Sequence, residues 1–139
     1  MSISEEHIAE IAEYLECGML CFYHRPTETI EFYPDEIMEE ELWEELIDKI
    51  ESDRNNYDRF EKMDSRQSFK VMEDFAVSLK DDDFKAEAFE RLSNRKPFRN
   101  FKDLIEASEY RQDWFDFKKQ AYIQWVKEQI EDRGSKLLN

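Results

Sequence analysis

Met19-Leu20-Cys21-Phe22-Tyr23-His24, then Arg25-Pro26-Thr27-Glu28, then Thr29-Ile30-Glu31-Phe32-Tyr33 is the stretch that separates an α+β fold from an all-helical one. Residues 19–24 are rich in aromatic and β-favouring side chains, and residues 25–28 read as a turn. Ile30 and Phe32 alternate onto one face of a second strand, which Pro34 ends. This pattern predicts a β-hairpin. A hairpin alone is marginal in water, so it must pack on helices or gain a third strand. Asn56 to Met63, with Tyr57 and Phe60 as its apolar residues, is the candidate third strand.

Helices are expected on either side of the hairpin. Ser4 caps the first, Glu5 and Glu6 complement its positive end, and Ile8, Ile11, Ala12 and Leu15 repeat at helical spacing. Gly18 stops it, because glycine tolerates the left-handed conformation that follows a helix. Met38 to Ser52 reads as a helix with Leu42, Trp43, Leu46, Ile47 and Ile50 on one face. Asp64 or Ser65 caps the next, carrying Phe69, Met72, Phe75, Ala76 and Leu79. Asp81-Asp82-Asp83 caps another, carrying Phe84, Ala88, Phe89 and Leu92. Pro97 suits the first position of a short helix with Phe98, Phe101, Leu104 and Ile105. A last helix is expected from Glu109 to Arg133, ending at Gly134. Phe98, Phe101, Trp114, Phe117, Ala121 and Trp125 are the expected main core. The reading is α+β: a mostly helical single domain, residues 1–139, with a small antiparallel sheet packed on helices.

Composition supports this. Only two glycines and three prolines in 139 residues are too few for a loop-rich β fold. Aromatic residues make up 14% of the chain and supply large burial per residue. No apolar run approaches the ~20 residues that span a bilayer, so no membrane partner is expected. Residues 1–16 hold five glutamates and no Lys or Arg, the wrong sign for a secretion signal, so a bacterial-type cytoplasmic protein is expected. Residues 1–53 carry 17 acids and two bases, so the whole net charge of -15 sits there. Phosphates would be repelled by this part, which leaves nucleic acid only the basic segment described next.

Arg91-Leu92-Ser93-Asn94-Arg95-Lys96-Pro97-Phe98-Arg99-Asn100-Phe101-Lys102 holds five bases and no acid. If Pro97 opens a helix, Arg95, Lys96 and Arg99 crowd its positive end, which is unfavourable by about 0.3–1 kcal/mol per base. A negative counterpart is expected. It is supplied by carboxylates of the acidic first half, by an external phosphate- or carboxylate-bearing ligand or nucleic acid, or by a protein partner. Arg95, Lys96, Arg99 and Lys102 are the anion- or partner-binding candidates. Lys118 joins them, because Trp114, Ala121, Tyr122 and Trp125 place it inside an apolar helix face. Its stem packs on those rings while its amine reaches water or a carboxylate, or it is a partly buried amine able to act as a base or nucleophile.

The C-terminal half carries a pattern that resembles a known family. Met72-x-x-Phe75, Ala88-Phe89-x-x-Leu92, Pro97-Phe98-x-x-Phe101-Lys102-Asp103-x-Ile105, Trp114-x-x-Phe117-Lys118 and Trp125 resemble UPF0158, a family of uncharacterised bacterial proteins. The resemblance covers residues 68–128, with a weaker echo in the hairpin. It implies no biochemical role. Members usually have a glycine in the hairpin turn and another before the Phe-x-x-Phe stretch; this chain has Thr27-Glu28-Thr29 and Asn94-Arg95-Lys96 there.

Other chemistries find little footing. Two glycines cannot build a P-loop or a dinucleotide fingerprint, and neither His7 nor His24 sits in a recognisable nucleophile–base arrangement. Cys17-x3-Cys21-x2-His24 has a metal-like look, but zinc needs a fourth ligand and His7 is the one other histidine. Buried cysteines are the plainer reading, and no metal or cofactor is expected. Two function classes stay open. The first is a non-enzymatic binding or interaction module, with a protein partner or a homodimer. The second is an enzyme or small-ligand protein with an anionic substrate at the basic segment.

Overall fold

The computed structural model describes residues 3–36 and 40–138. Ser4 opens the first helix, α1 (Glu5–Glu16), by accepting the His7 amide at 3.1 Å, with Glu5 and Glu6 in the first turn. Gly18 follows the helix at φ +88, the left-handed region, and the chain turns directly into the sheet.

The sheet has three antiparallel strands in the order β2-β1-β3: β1 (Met19–His24), β2 (Thr29–Pro34) and β3 (Tyr57–Phe60). The expected third strand therefore forms, over a shorter span. Residues Arg54–Asn56 before it make a single 3-10 turn. Leu20 to Tyr23 are all buried because β1 is central and covered on both faces, which explains its unbroken apolar run.

Strand alternation assigns the faces. One carries Cys21, Tyr23, Phe32 and Phe60 and meets α1: Tyr14 stacks on Phe32 at 4.0 Å, His7 lies 5.7 Å from Tyr23, and the Cys21 thiol points to the Ile11 carbonyl. The opposite face carries Leu20 and Phe22, which cluster with Ile50 and Leu46 of α2 (Glu40–Ser52). Met38, the expected start of that helix, lies outside the described residues. Leu42 departs from expectation, being 71% exposed. The contact with the sheet is made by the last turns of α2, and Leu42 lies eight residues before Ile50, about 12 Å along the axis.

By compactness the chain divides into two units, residues 1–62 with 122–139, and residues 63–121. The second unit holds α3 (Ser65–Ser78), α4 (Asp82–Ser93), α5 (Pro97–Glu106) and the first turns of α6 (Arg111–Leu138). Asp64 and Gln67 form a reciprocal capping box at α3, and Asp81 accepts the amides of Asp83 and Phe84 at α4. Its core is Met72, Phe75, Ala76, Ala88, Leu92, Phe101, Ile105 and Trp114, with Phe75, Phe101 and Trp114 in mutual edge or tilted contact.

Three expectations are corrected. Helix α6 begins at Arg111 and continues through Gly134 to Leu138. A glycine inside a helix costs only about 1 kcal/mol and ends it only by turning left-handed. Phe98 is not core: it is 42% exposed and meets Phe69 edge-on at 6.3 Å. Trp125 lies outside the α3–α6 core. In the first unit its indole N–H donates to the Glu61 carbonyl at 2.7 Å, where Gln129 also accepts the Glu61 amide and donates to its carbonyl. These two side chains satisfy the backbone just past β3 as a further strand would.

Candidate functional site

Pro97 fixes the backbone angle that a helix needs at its first position and supplies no amide, so α5 starts there. The residue before it has an unusual conformation. Lys96 is the N-cap of α5 at φ 52 and ψ 54, left-handed, and it makes no side-chain cap. N-caps are normally Ser, Thr, Asp or Asn in the extended region, whose oxygens accept the first free amides. The helix therefore begins with its positive end uncapped by any side chain. Asn100 secures the turn from inside, donating its side-chain amide to the Arg95 carbonyl at 2.6 Å and its backbone amide to Lys96 at 3.0 Å.

The basic residues expected here are brought together on this turn and helix. Arg95, Lys96, Arg99 and Lys102 are all exposed. Among the described residues none of the four makes an ion pair, although Asp103 and Glu106 stand four residues after Arg99 and Lys102 on the same helix. Arg91, one turn from the end of α4, differs: it reaches Glu87 at 3.7 Å. Phe101 and Ile105 anchor the opposite face of α5 at 0% exposure, so the bases stand on a rigid support. Phe98 lies one turn before Lys102 and adds an exposed ring beside the charges. Lys118 stands on a different helix from these four. It is half-buried on α6 and already engaged in an interaction of its own.

A second polar constellation, at the turn end of the hairpin, was not legible in the sequence. His24 contacts Asp53 Oδ2 at 2.7 Å through Nε2 and Thr27 Oγ1 at 2.6 Å through Nδ1. Hydrogen bonds from His24 and Asn56 hold the Asp53 carboxyl below its usual range. Arg25 donates to Asp58 Oδ1 at 2.6 Å and to the Asn55 carbonyl. Asp58 is 7% exposed, the one buried charged side chain of the described core. The Arg133 guanidinium lies 4.3 Å over the Phe60 ring, and burial pushes it below its ordinary range while nearby Asp58 opposes the shift. Asp58 Oδ2 and Arg133 Nη1 are buried with no hydrogen-bond partner among the described residues. These contacts pin the turn, the segment before β3 and the last helix to one another. Thr27 sits on the exposed turn, so its proximity to His24 is that of a clip.

The cysteine–histidine spacing does not converge. Cys21 and His24 differ by an odd number of positions on β1 and so project from opposite faces. Burial pushes the Cys21 thiol up to about 12, which keeps it protonated and inert. No helix of the described residues is long and apolar enough to cross a membrane.

The comparisons with known proteins bear on the same segments. The family model described as Uncharacterised protein family (UPF0158) matches residues 12–137. The chain belongs to the UPF0158 family. A curated relative, UPF0158 protein PA5073 of Pseudomonas aeruginosa, is 28% identical over 89 residues, which are 63% of this chain and 58% of that protein. The chain thus spans under two-thirds of that relative's length. No solved structure matches. Among the described residues two non-glycine residues are left-handed: Glu28 at φ 56 in the hairpin turn, and Lys96 at φ 52 before α5.

Proposed function

We propose that this chain is a non-enzymatic interaction module of the cytoplasm that takes an acidic partner on segment 91–102. One observation carries the reading: Arg95, Lys96 and Arg99 gather at the uncapped positive end of α5, Lys102 follows on the same helix, and none of the four makes an ion pair among the described residues. Bases are unfavourable at a helix N-terminus, so an arrangement that retains three of them there gains most when a negative group arrives. Phe98 supplies an apolar contact beside the charges.

An acidic protein segment suits this surface better than nucleic acid. The net charge of -15 repels a long polyanion along most of its length, whereas a short acidic helix or strand need meet only the basic strip. The test is fluorescence anisotropy of a labelled oligoglutamate peptide beside a labelled single-stranded oligonucleotide of equal charge. The peptide is expected to bind more tightly, and Arg95→Glu/Lys96→Glu/Arg99→Glu to weaken it by at least tenfold. Equal affinity of wild type and variant for the peptide contradicts the proposal. Preference for the oligonucleotide replaces it with a nucleic-acid reading of the same strip.

A further inference from the structure

We infer that the acidic partner of α5 is α2 of a second copy of this chain. The inference rests on the reading of segment 91–102 as a surface for an acidic partner, and it names that partner. Two helix faces lead to it. On α5, Phe98 and Lys102 are four residues apart, with Arg99 between them, and all three are exposed. On α2, Glu41 and Glu45 are four residues apart and bracket Leu42, and all three are exposed. Residues at this spacing are surface neighbours. Each helix therefore presents one large apolar side chain set among like charges, and the charges of the two are opposite. Like the bases of α5, Glu41 and Glu45 make no ion pair among the described residues. Leu42 at 71% and Phe98 at 42% are two of the four large hydrophobic side chains exposed in the described structure. Docking α5 on α2 covers both and pairs both sets of charges in one step.

The two patches differ and every copy carries one of each, so two copies can exchange the contact reciprocally or pass it on head to tail. A single helix-on-helix contact falls short of the roughly 1,200 Å² of a stable interface, which sets the association in the weak, transient class. Salt acts on it in two opposing ways. The net charge of -15 repels copies over the ~30 Å screening length at 0.01 M salt. That repulsion is largely gone at 0.15 M, where the length is about 8 Å, while groups in contact still attract. At 1 M, with a length of about 3 Å, the contacts themselves weaken. Association should therefore peak at intermediate salt. A purely hydrophobic contact would instead strengthen steadily.

Sedimentation of the full chain at several hundred micromolar tests this at the three salt concentrations. The expected weight-average mass exceeds the 17.0 kDa of one chain at the middle concentration and falls back toward it at both ends. Arg99→Glu/Lys102→Glu and Glu41→Lys/Glu45→Lys should each sediment as single chains, and their equimolar mixture should regain association, because the reversed charges again match. Arg99→Gln/Lys102→Gln, with helicity checked by circular dichroism, covers the case in which charge reversal disturbs folding. Wild type at 17.0 kDa throughout, association that survives the reversals, or a mixture that stays monomeric each overturns the inference. Oligoglutamate titrated into the same samples separates the two levels. Peptide binding without self-association removes the second copy and leaves the acidic-partner reading, and neither event removes both.

Discussion

The bases around the sheet and those at the start of α5 are treated in opposite ways by the fold. Arg25, Lys49 and Lys62 reach Asp58, Glu31 and Asp35 at 2.6, 2.9 and 3.5 Å. Arg95, Lys96, Arg99 and Lys102 reach no acid among the described residues, in a chain with 35 acids against 20 bases. Where acids are this abundant, pairing is the easy outcome, and a cluster of four unpaired bases is unusual. The difference teaches that charge near the hairpin is used in internal ion pairs, whereas charge on α5 is used in none among the described residues.

The largest test of this contrast removes one base from each region. Arg25→Ala leaves the buried Asp58 carboxylate without its ion-pair partner and should cost about 2–3 kcal/mol in urea unfolding. Arg99→Ala should stay within about 0.5 kcal/mol of wild type. Equal losses at the two sites would erase the distinction. Next in size is the clip on Glu61. Gln129→Ala removes two hydrogen bonds to that backbone and should cost about 1–2 kcal/mol, read by the same unfolding experiment. A neutral result would mean that water replaces them freely.

How much of this was legible in the sequence follows from how far apart the interacting residues lie. Ser4, Asp64 and Asp81 act within three residues of themselves, so the helix starts could be read directly. The hairpin declared itself through its aromatic run and turn, and Pro97 declared α5. The pairs His24–Asp53 and Arg25–Asp58 span about thirty positions, and with so many carboxylates no spacing singles out the partner. Leu42 and Phe98 fit an apolar stripe by period, but period fixes only an angle around a helix, not whether anything stands opposite. Trp125 was readable as apolar and in fact serves through its N–H. The position of the bases on α5 was readable; their lack of internal partners was not, because it depends on every other side chain in the fold.

Smaller effects sharpen the picture at α5. Lys96→Gly should raise stability by about 1 kcal/mol relative to Lys96→Ala, since only glycine relaxes at φ 52. No difference between the two would mean the left-handed turn is not retained in solution. The smallest effect is set by pH. The Asp53 carboxyl is held below its usual range in the folded chain, so its contribution is fully present above the unfolded value of about 3.9 and is lost as pH falls through the folded one. Asp53→Asn should therefore lower the melting temperature slightly near pH 6, by a deficit that shrinks as pH falls below about 3.9. A deficit that stays constant with falling pH would assign the loss to packing instead of charge.

The most direct measurement is urea unfolding of Arg95→Gln/Lys96→Gln/Arg99→Gln/Lys102→Gln against wild type at low salt. Four bases without internal partners among the described residues, three of them crowded at the positive end of a helix, predict an unchanged or higher midpoint once their charge is removed. A fall of more than about 1 kcal/mol would show that the molecule already spends those charges on itself, and the account of α5 as a surface awaiting an acidic partner would be wrong.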